Sequence, residues 1–400
     1  MVALPQELLD EIVQDIEGPA SHTTLKFCAL VSRGLRSTSQ QRLFKSIDLT
    51  PARVDAVASG LSASPHLGTY ICDLTIYLNL PDAHAQLATI LTLLSGVQRL
   101  VMSSSQGWQA WYWSSLPAEL RAAILAILAS TSLRCLAFTG MGRRIPLPII
   151  RYALASYQQV AILRVTDLAD ADEDPALSLP LAAGSIDDNT HLTHLLLGYY
   201  PPANPGLNSV LLSDQTSQSF RNLRHLELTA HSQNSLHGLE EIAFKNQHSL
   251  QHLTVNFDLE VYETGFRLPL LSHLRVLTAR AAVGQLRIPT SFFCAISTLS
   301  SSTPQLEVLN LIIQGDENSE TFAEDHDFSV LDRVLDSLSH LQAVDWTVFC
   351  PGVVAFEERV RTVLPRAHAA GILSFSVLSQ PLDDPMLLFS EQKKYVWVLH

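Results

Sequence analysis

The sequence predicts an α/β protein. A short helical domain spans residues 1–50, and a solenoid of strand-plus-helix repeats spans residues 51–400, its parallel strands lining a concave face. Three observations predict this. An apolar triplet, Φ-x-x-Φ-x-Φ with Φ a large apolar residue, recurs down the chain. Segments of helical periodicity separate its copies. The first fifty residues follow a different pattern.

Those fifty residues read as three short helices. Leu4, Leu8, Leu9, Ile12, Val13 and Ile16 form one apolar helical stripe. Pro5 suits a first turn, and Glu7 there complements the helix dipole. Gly18-Pro19 breaks the helix. Thr23 or Thr24 caps a second helix running through Phe27, Leu30 and Val31, and a third runs from Leu35 to Phe44. Three helices this short bury little area alone, so the unit needs a partner or a neighbouring domain.

The triplet is clearest at Leu192/Leu195/Leu197, Leu223/Leu226/Leu228, Leu250/Leu253/Val255 and Leu306/Leu309/Leu311. Looser copies lie at Leu274/Leu277/Ala279 and Leu341/Val344/Trp346. Upstream it catches Ile71/Leu74/Ile76, Val97/Leu100/Met102, Leu133/Leu136/Phe138 and Val160/Leu163/Val165. Ile372/Phe375/Val377 closes the series. The last two Φ positions are two apart, so in a strand both point into the core. The intervening Ala118–Ala129, Phe328–Leu338 and Phe356–Leu364 have helical periodicity. Strand, turn and helix in this order are the signature of a leucine-rich repeat, with roughly ten to eleven degenerate copies here. A doubly wound α/β fold also alternates strand and helix. It does not demand the triplet at every strand, and no Gly-rich phosphate loop follows any strand in this chain.

The segments LPQELLDEIV (Leu4 to Val13), LKFCALVSRGLR (Leu25 to Arg36) and QRLFKSIDL (Gln41 to Leu49) together resemble an F-box. The resemblance is to the fungal form, which joins an N-terminal F-box to degenerate leucine-rich repeats. It implies the substrate-recognition subunit of a Skp–cullin–F-box ubiquitin ligase. In that family the F-box docks on a Skp-type adaptor, held by a cullin scaffold with a RING subunit, and the C-terminal domain selects a protein target. By position, Leu4, Pro5, Leu8, Ile12, Leu30, Val31 and Ser32 would contact the adaptor, with Leu43 and Phe44 near the edge. Many F-boxes carry a Trp shortly after the Val-Ser step; Leu35 and Arg36 stand in that neighbourhood here. A repeat scaffold that binds a protein without a ubiquitin role is the alternative.

The residues flanking the inward Φ positions face outward and form the expected target surface. Its members are Tyr77, Arg99, Arg164, His194, His225, Glu227, His252, Asn256, Arg280, Asn310 and Asp345, with Asp73, Ile312 and Leu378 beside them. His194, His225 and His252 hold one place in three successive copies, so they should stack as a ladder roughly 5 Å apart. One reading is a metal site or a pH-sensitive contact. The other is exposed histidine tolerated without a role, favoured because no Cys or carboxylate shares the place. Asp167–Asp188 reads as an acidic loop and Gly315–Asp327 as a solvated acidic run or a dock for a basic segment. Trp108, Trp111 and Trp113 form either a core insertion or an exposed hot spot.

Composition narrows the function further. The chain is 47% hydrophobic and 16% charged, enough to fill a large core, and its net charge of −13 argues against a nucleic-acid binder. Cys28, Cys72, Cys135, Cys294 and Cys350 are odd in number and dispersed, against a disulfide framework or a thiolate zinc site. With no secretory signal and no membrane-length apolar run, a cytoplasmic or nuclear protein is expected. No hydrolase, metalloprotease, kinase or P-loop motif is present, so neither catalysis nor a cofactor is expected.

Overall fold

The computed structural model describes residues 5–17, 20–79, 81–103, 113–139, 145–163, 168–169, 192–198, 211, 220–230, 233–257, 267–282, 290–314, 328–349 and 353–377. The chain divides into two compact units, Met1–Leu192 with Asn204–Val210, and Thr193–Ala203 with Leu211–His400.

The first unit opens with helices α1 (Gln6–Gln14), α2 (Ser21–Val31) and α3 (Arg33–Phe44). Helix α2 begins at Ser21, before the expected Thr caps. Thr24 therefore lies inside it, its hydroxyl donating to the Ala20 carbonyl at 3.1 Å. Helix α3 holds α1 by polar contacts. Gln6 Nε2 donates to the Gly34 carbonyl at 2.8 Å, and the Thr38 hydroxyl donates to Asp10. The Arg42 guanidinium donates to the Val13 carbonyl and, at 2.7 Å, to that of Gln14. These carbonyls lie in the last turn of α1, where regular helical partners run out, so α3 caps that end.

Strands β1 (Ser46–Leu49), β2 (Asp73–Tyr77), β3 (Arg99–Ser103), β4 (Cys135–Thr139) and β6 (Gln159–Leu163) then form a parallel sheet in that order. Strands β5 (Ile145–Pro146) and β7 (Leu168–Ala169) pair separately. Helices Pro51–Ala63, His84–Thr92, Ala118–Leu128 and Leu147–Ser156 fill the connections. The sheet thus starts at β1, inside the first fifty residues, where Ile47 and Leu49 alternate into the core.

The second unit repeats the scheme. Its strands are β8 (His194–Gly198), β9 (His225–Ala230), β10 (His252–Phe257), β11 (Val276–Ala282), β12 (Val308–Gln314), β13 (Ala343–Phe349) and β14 (Leu373–Val377), parallel and in sequence order. Helices Gln233–Lys245, Thr290–Ser297, Phe328–Ser337, Val353–Val363 and Pro365–Ala369 return the chain between them. Strand order never reverses within either unit. Among the described strands there is no switch point of the kind a doubly wound fold has, and apart from β5 and β7, which pair with each other, the strands within each unit pair in chain order.

Register explains the parallel stacking. Leu195, Leu226, Leu253, Leu277, Leu309 and Val344 stand in one column, and Leu197, Leu228, Val255, Ala279, Leu311 and Trp346 in the next. Every one of them is buried. The large ones contribute roughly 1.5–3 kcal/mol each. Leu74, Leu100, Leu136 and Val160 form the matching column of the first unit.

A backbone feature recurs beside the columns. The carbonyl just before a strand accepts two successive N–H groups from the next repeat. Cys72 O takes Gln98 N at 2.8 Å and Arg99 N at 2.9 Å; Arg224 O takes Gln251 N and His252 N, both at 2.9 Å; Arg275 O takes Glu307 N at 2.8 Å and Val308 N at 3.0 Å. Two glycines permit a close approach of connecting segments. A Cβ on Gly68 would stand 2.3 Å from the Leu93 carbonyl oxygen, and one on Gly96 2.6 Å from that of Thr69.

Two expected triplets sit out of register. In β6 the core positions are Val160 and Ile162, so the triplet is Tyr157/Val160/Ile162 rather than Val160/Leu163/Val165. Tyr157 takes the leading place because its ring is buried while its hydroxyl donates to the Leu128 carbonyl at 2.5 Å. In β14, Leu373 and Phe375 align with Val344 and Trp346, which makes the copy Ala370/Leu373/Phe375. Gly371, at φ +71°, ends the preceding helix and forces that start.

Candidate functional site

Two surfaces collect the residues singled out in the sequence. The first lies on the N-terminal helices. Leu8 and Ile12, one turn apart on α1, are 45% and 52% exposed; Phe27, Leu30 and Val31 on α2 are 62%, 77% and 81% exposed. Only Val13 of α1 and Leu25 of α2 are buried. These helices thus turn one set of apolar residues to the core and leave a second set in water. Pro5 is exposed and Ser32, Leu43 and Phe44 are half-buried, while Leu4 lies outside the described residues. Phe27 was absent from the expected contact set; its i, i+3, i+4 spacing with Leu30 and Val31 would have placed it there. Phe44 also lines a cleft of about 280 Å³, with Ile47, Ala56, Gly60, Leu61 and Leu67 among its walls.

The second surface is the outward face of the strands. In the first unit it is closed over β4 and β6. Cys135, Ala137 and Thr139 of β4 and Gln159 and Ala161 of β6 are buried although they alternate with the core residues. These two strands are covered on both sides, whereas the expected face residues Asp73, Tyr77 and Arg99 on β2 and β3 are half-buried. Burial raises the Cys135 thiol to about 12, and it donates to Gln159 Oε1 at 3.1 Å. Arg99 is half-buried opposite Asp73; burial lowers its pKa, and the charge of Asp73 opposes that. Burial, then the charge and hydrogen bond of Asp48, raise the Tyr77 phenol. Arg164, Leu378, Trp108 and Trp111 lie outside the described residues, as do the acidic run 315–327 and, apart from β7, the loop 167–188. Trp113 is buried, so that indole belongs to the core.

In the second unit the face is polar and built. His194, His225 and His252 pair in register on β8, β9 and β10. Their rings stack with centroids 4.1 Å apart at both steps, interplanar angles 10° and 12°. The rings are half-buried, not exposed as the sequence suggested, because each covers a face of the next. Burial, reinforced by neighbouring imidazoles and Arg224, lowers His194 to about 4 and His225 to about 3. Burial first, then Arg275, lowers His252.

Further along the same strands Glu227, Asn256 and Arg280 form one network across β9, β10 and β11. Glu227 Oε1 accepts from Asn256 Nδ2 at 3.2 Å and from the Arg280 guanidinium at 3.4 Å, and Asn256 Nδ2 also reaches Thr229 Oγ1 at 3.2 Å. Asn310 Nδ2 donates to Thr278 Oγ1 at 3.1 Å, and Ser374 donates to Asp345. The face thus carries polar side chains that hydrogen bonds across neighbouring strands hold in place.

No protein-family model matches the chain, and no curated protein matches it. Among the described residues no group of three or more His, Cys, Asp or Glu is placed to hold a metal ion, and no helix is long and apolar enough to cross a membrane. Cys28, Cys72, Cys135 and Cys294 are free thiols.

Proposed function

We propose that the chain is the substrate-recognition subunit of a Skp–cullin–F-box ubiquitin ligase, with its N-terminal helices on a Skp-type adaptor and the outward face of β8–β13 on a protein target. The observation that carries the reading is the set of five large apolar side chains exposed on α1 and α2. Leu8, Ile12, Leu30 and Val31 among them occupy the positions that the F-box resemblance assigns to the adaptor. A monomer gains nothing by holding Val31 at 81% exposure; a docked helix pair gains roughly 1.5–3 kcal/mol for each such side chain it buries. The polar ladder and ion-pair network supply a separate, target-facing surface. Such an assembly works inside the cell, in keeping with the free thiols.

Capture on an immobilised Skp-type adaptor tests the assignment. Wild type is expected to bind. Leu8→Asp with Ile12→Asp is expected to weaken binding at least a hundredfold while leaving the circular dichroism spectrum unchanged, since both side chains face water. Failure of wild type to bind, or full retention by the double variant, would leave the alternative: a repeat scaffold that grips a protein partner without a ubiquitin role.

A further inference from the structure

The histidine ladder supports an inference independent of that reading. Three imidazoles in successive strands lie face to face, 4.1 Å between centroids at each step. A stack this close holds together while the rings are uncharged, because like charges at that separation repel strongly in a half-buried setting. Among the described residues, the surroundings supply little to neutralise a proton. Arg224, just before β9, faces His194 and His225; Arg275, before β11, faces His252. The carboxylate that acts on His252 is Glu307, which already engages Arg275 at 3.7 Å. Glu227, two residues along β9 from His225, is held by Asn256 and Arg280. On β8 the polar neighbour is the Thr193 hydroxyl, 2.9 Å from His194 Nδ1.

We propose that the ladder is an acid-sensitive latch in the sheet of the second unit: stacked and closed while uncharged, and driven apart when protons enter it. The central ring, His225, has an imidazole on each side, so it resists protonation most and links the other two. The direction follows from linkage. Each imidazole is less basic folded than unfolded, so acid favours the separated form. The stabilisation is complete above the ordinary histidine value of about 6.5. It is lost as pH falls toward about 4 for His194 and about 3 for His225.

Two measurements on the full chain test this. Proton–carbon NMR titration should find all three imidazoles protonating below the ordinary range, and His194→Gln should move His225 upward by removing a neighbour that takes its charge first. Hydrogen exchange should find the opening constant of β8–β10 amides rising at least about tenfold between about pH 7 and about pH 4.5. The variant carrying His194→Gln, His225→Gln and His252→Gln should lose most of that response. Ordinary titration of the three histidines, an unmoved His225 in His194→Gln, or an undiminished acid response in the triple variant would overturn the latch. Should the triple variant not fold, the single variant decides.

Discussion

Single residues carry more than their type suggests. Asp332 is buried on helix Phe328–Ser337, and its carboxylate accepts the Arg366 N–H at 3.2 and 3.3 Å and the Ala367 N–H at 3.2 Å. It caps the helix of the next repeat. Asp332→Ala should cost about 1–3 kcal/mol, read as a lower urea midpoint at unchanged slope. Gly68→Ala should cost at least as much, because the new methyl meets backbone rather than a side chain able to move; a melting temperature equal to wild type would contradict that contact. Neither role could be read from the sequence. Asp332 looks like one more charge on an amphipathic helix, and Gly68 like any loop glycine. The histidine column was readable because three copies share one place. Its half-burial was not, because it comes from the rings covering one another rather than from any neighbour in sequence.

Among elements, the strands were the readable part. A large apolar residue three before an alternating pair marks a strand whose inward side chains fall in register, and nine of the expected copies keep their places. Leu309→Ala, at the centre of one column, should cost about 2–5 kcal/mol in equilibrium unfolding. The misread copies share a cause. Tyr157 is a core residue with a polar end, and Gly371 is a stop that apolar counting ignores. The covered outer face of β4 and β6 was hidden for another reason. What lies over a strand is set by segments remote in sequence, and Ala137 or Thr139 suits either side of a sheet. Glu227 and Arg280 are 53 residues apart, and only the stacking brings them to 3.4 Å. The double variant Glu227→Gln with Arg280→Ala should therefore lose less stability than the sum of the two single variants; strictly additive losses would show the pair uncoupled.

At the scale of the whole molecule, a chain of net charge −13 keeps its cations dispersed. Duplex nucleic acid at moderate salt should produce no mobility shift; a salt-dependent complex would refute the exclusion drawn from composition. Composition and the recurring triplet revealed the α/β class and the parallel pairing. The division into two units did not show, because the triplet runs through it with the same chemistry on either side.

The doubly accepting carbonyl before most strands has a bearing on how such a chain could change over generations. It joins one copy to the next through main-chain atoms alone, whatever side chain stands there: Lys45, Cys72, Gln98, Arg134, Thr193 and Arg224 all serve. At the main chain, a duplicated or deleted copy would meet its neighbours through the same seam, and only side-chain bridges such as Asp332 to Arg366 would need rematching.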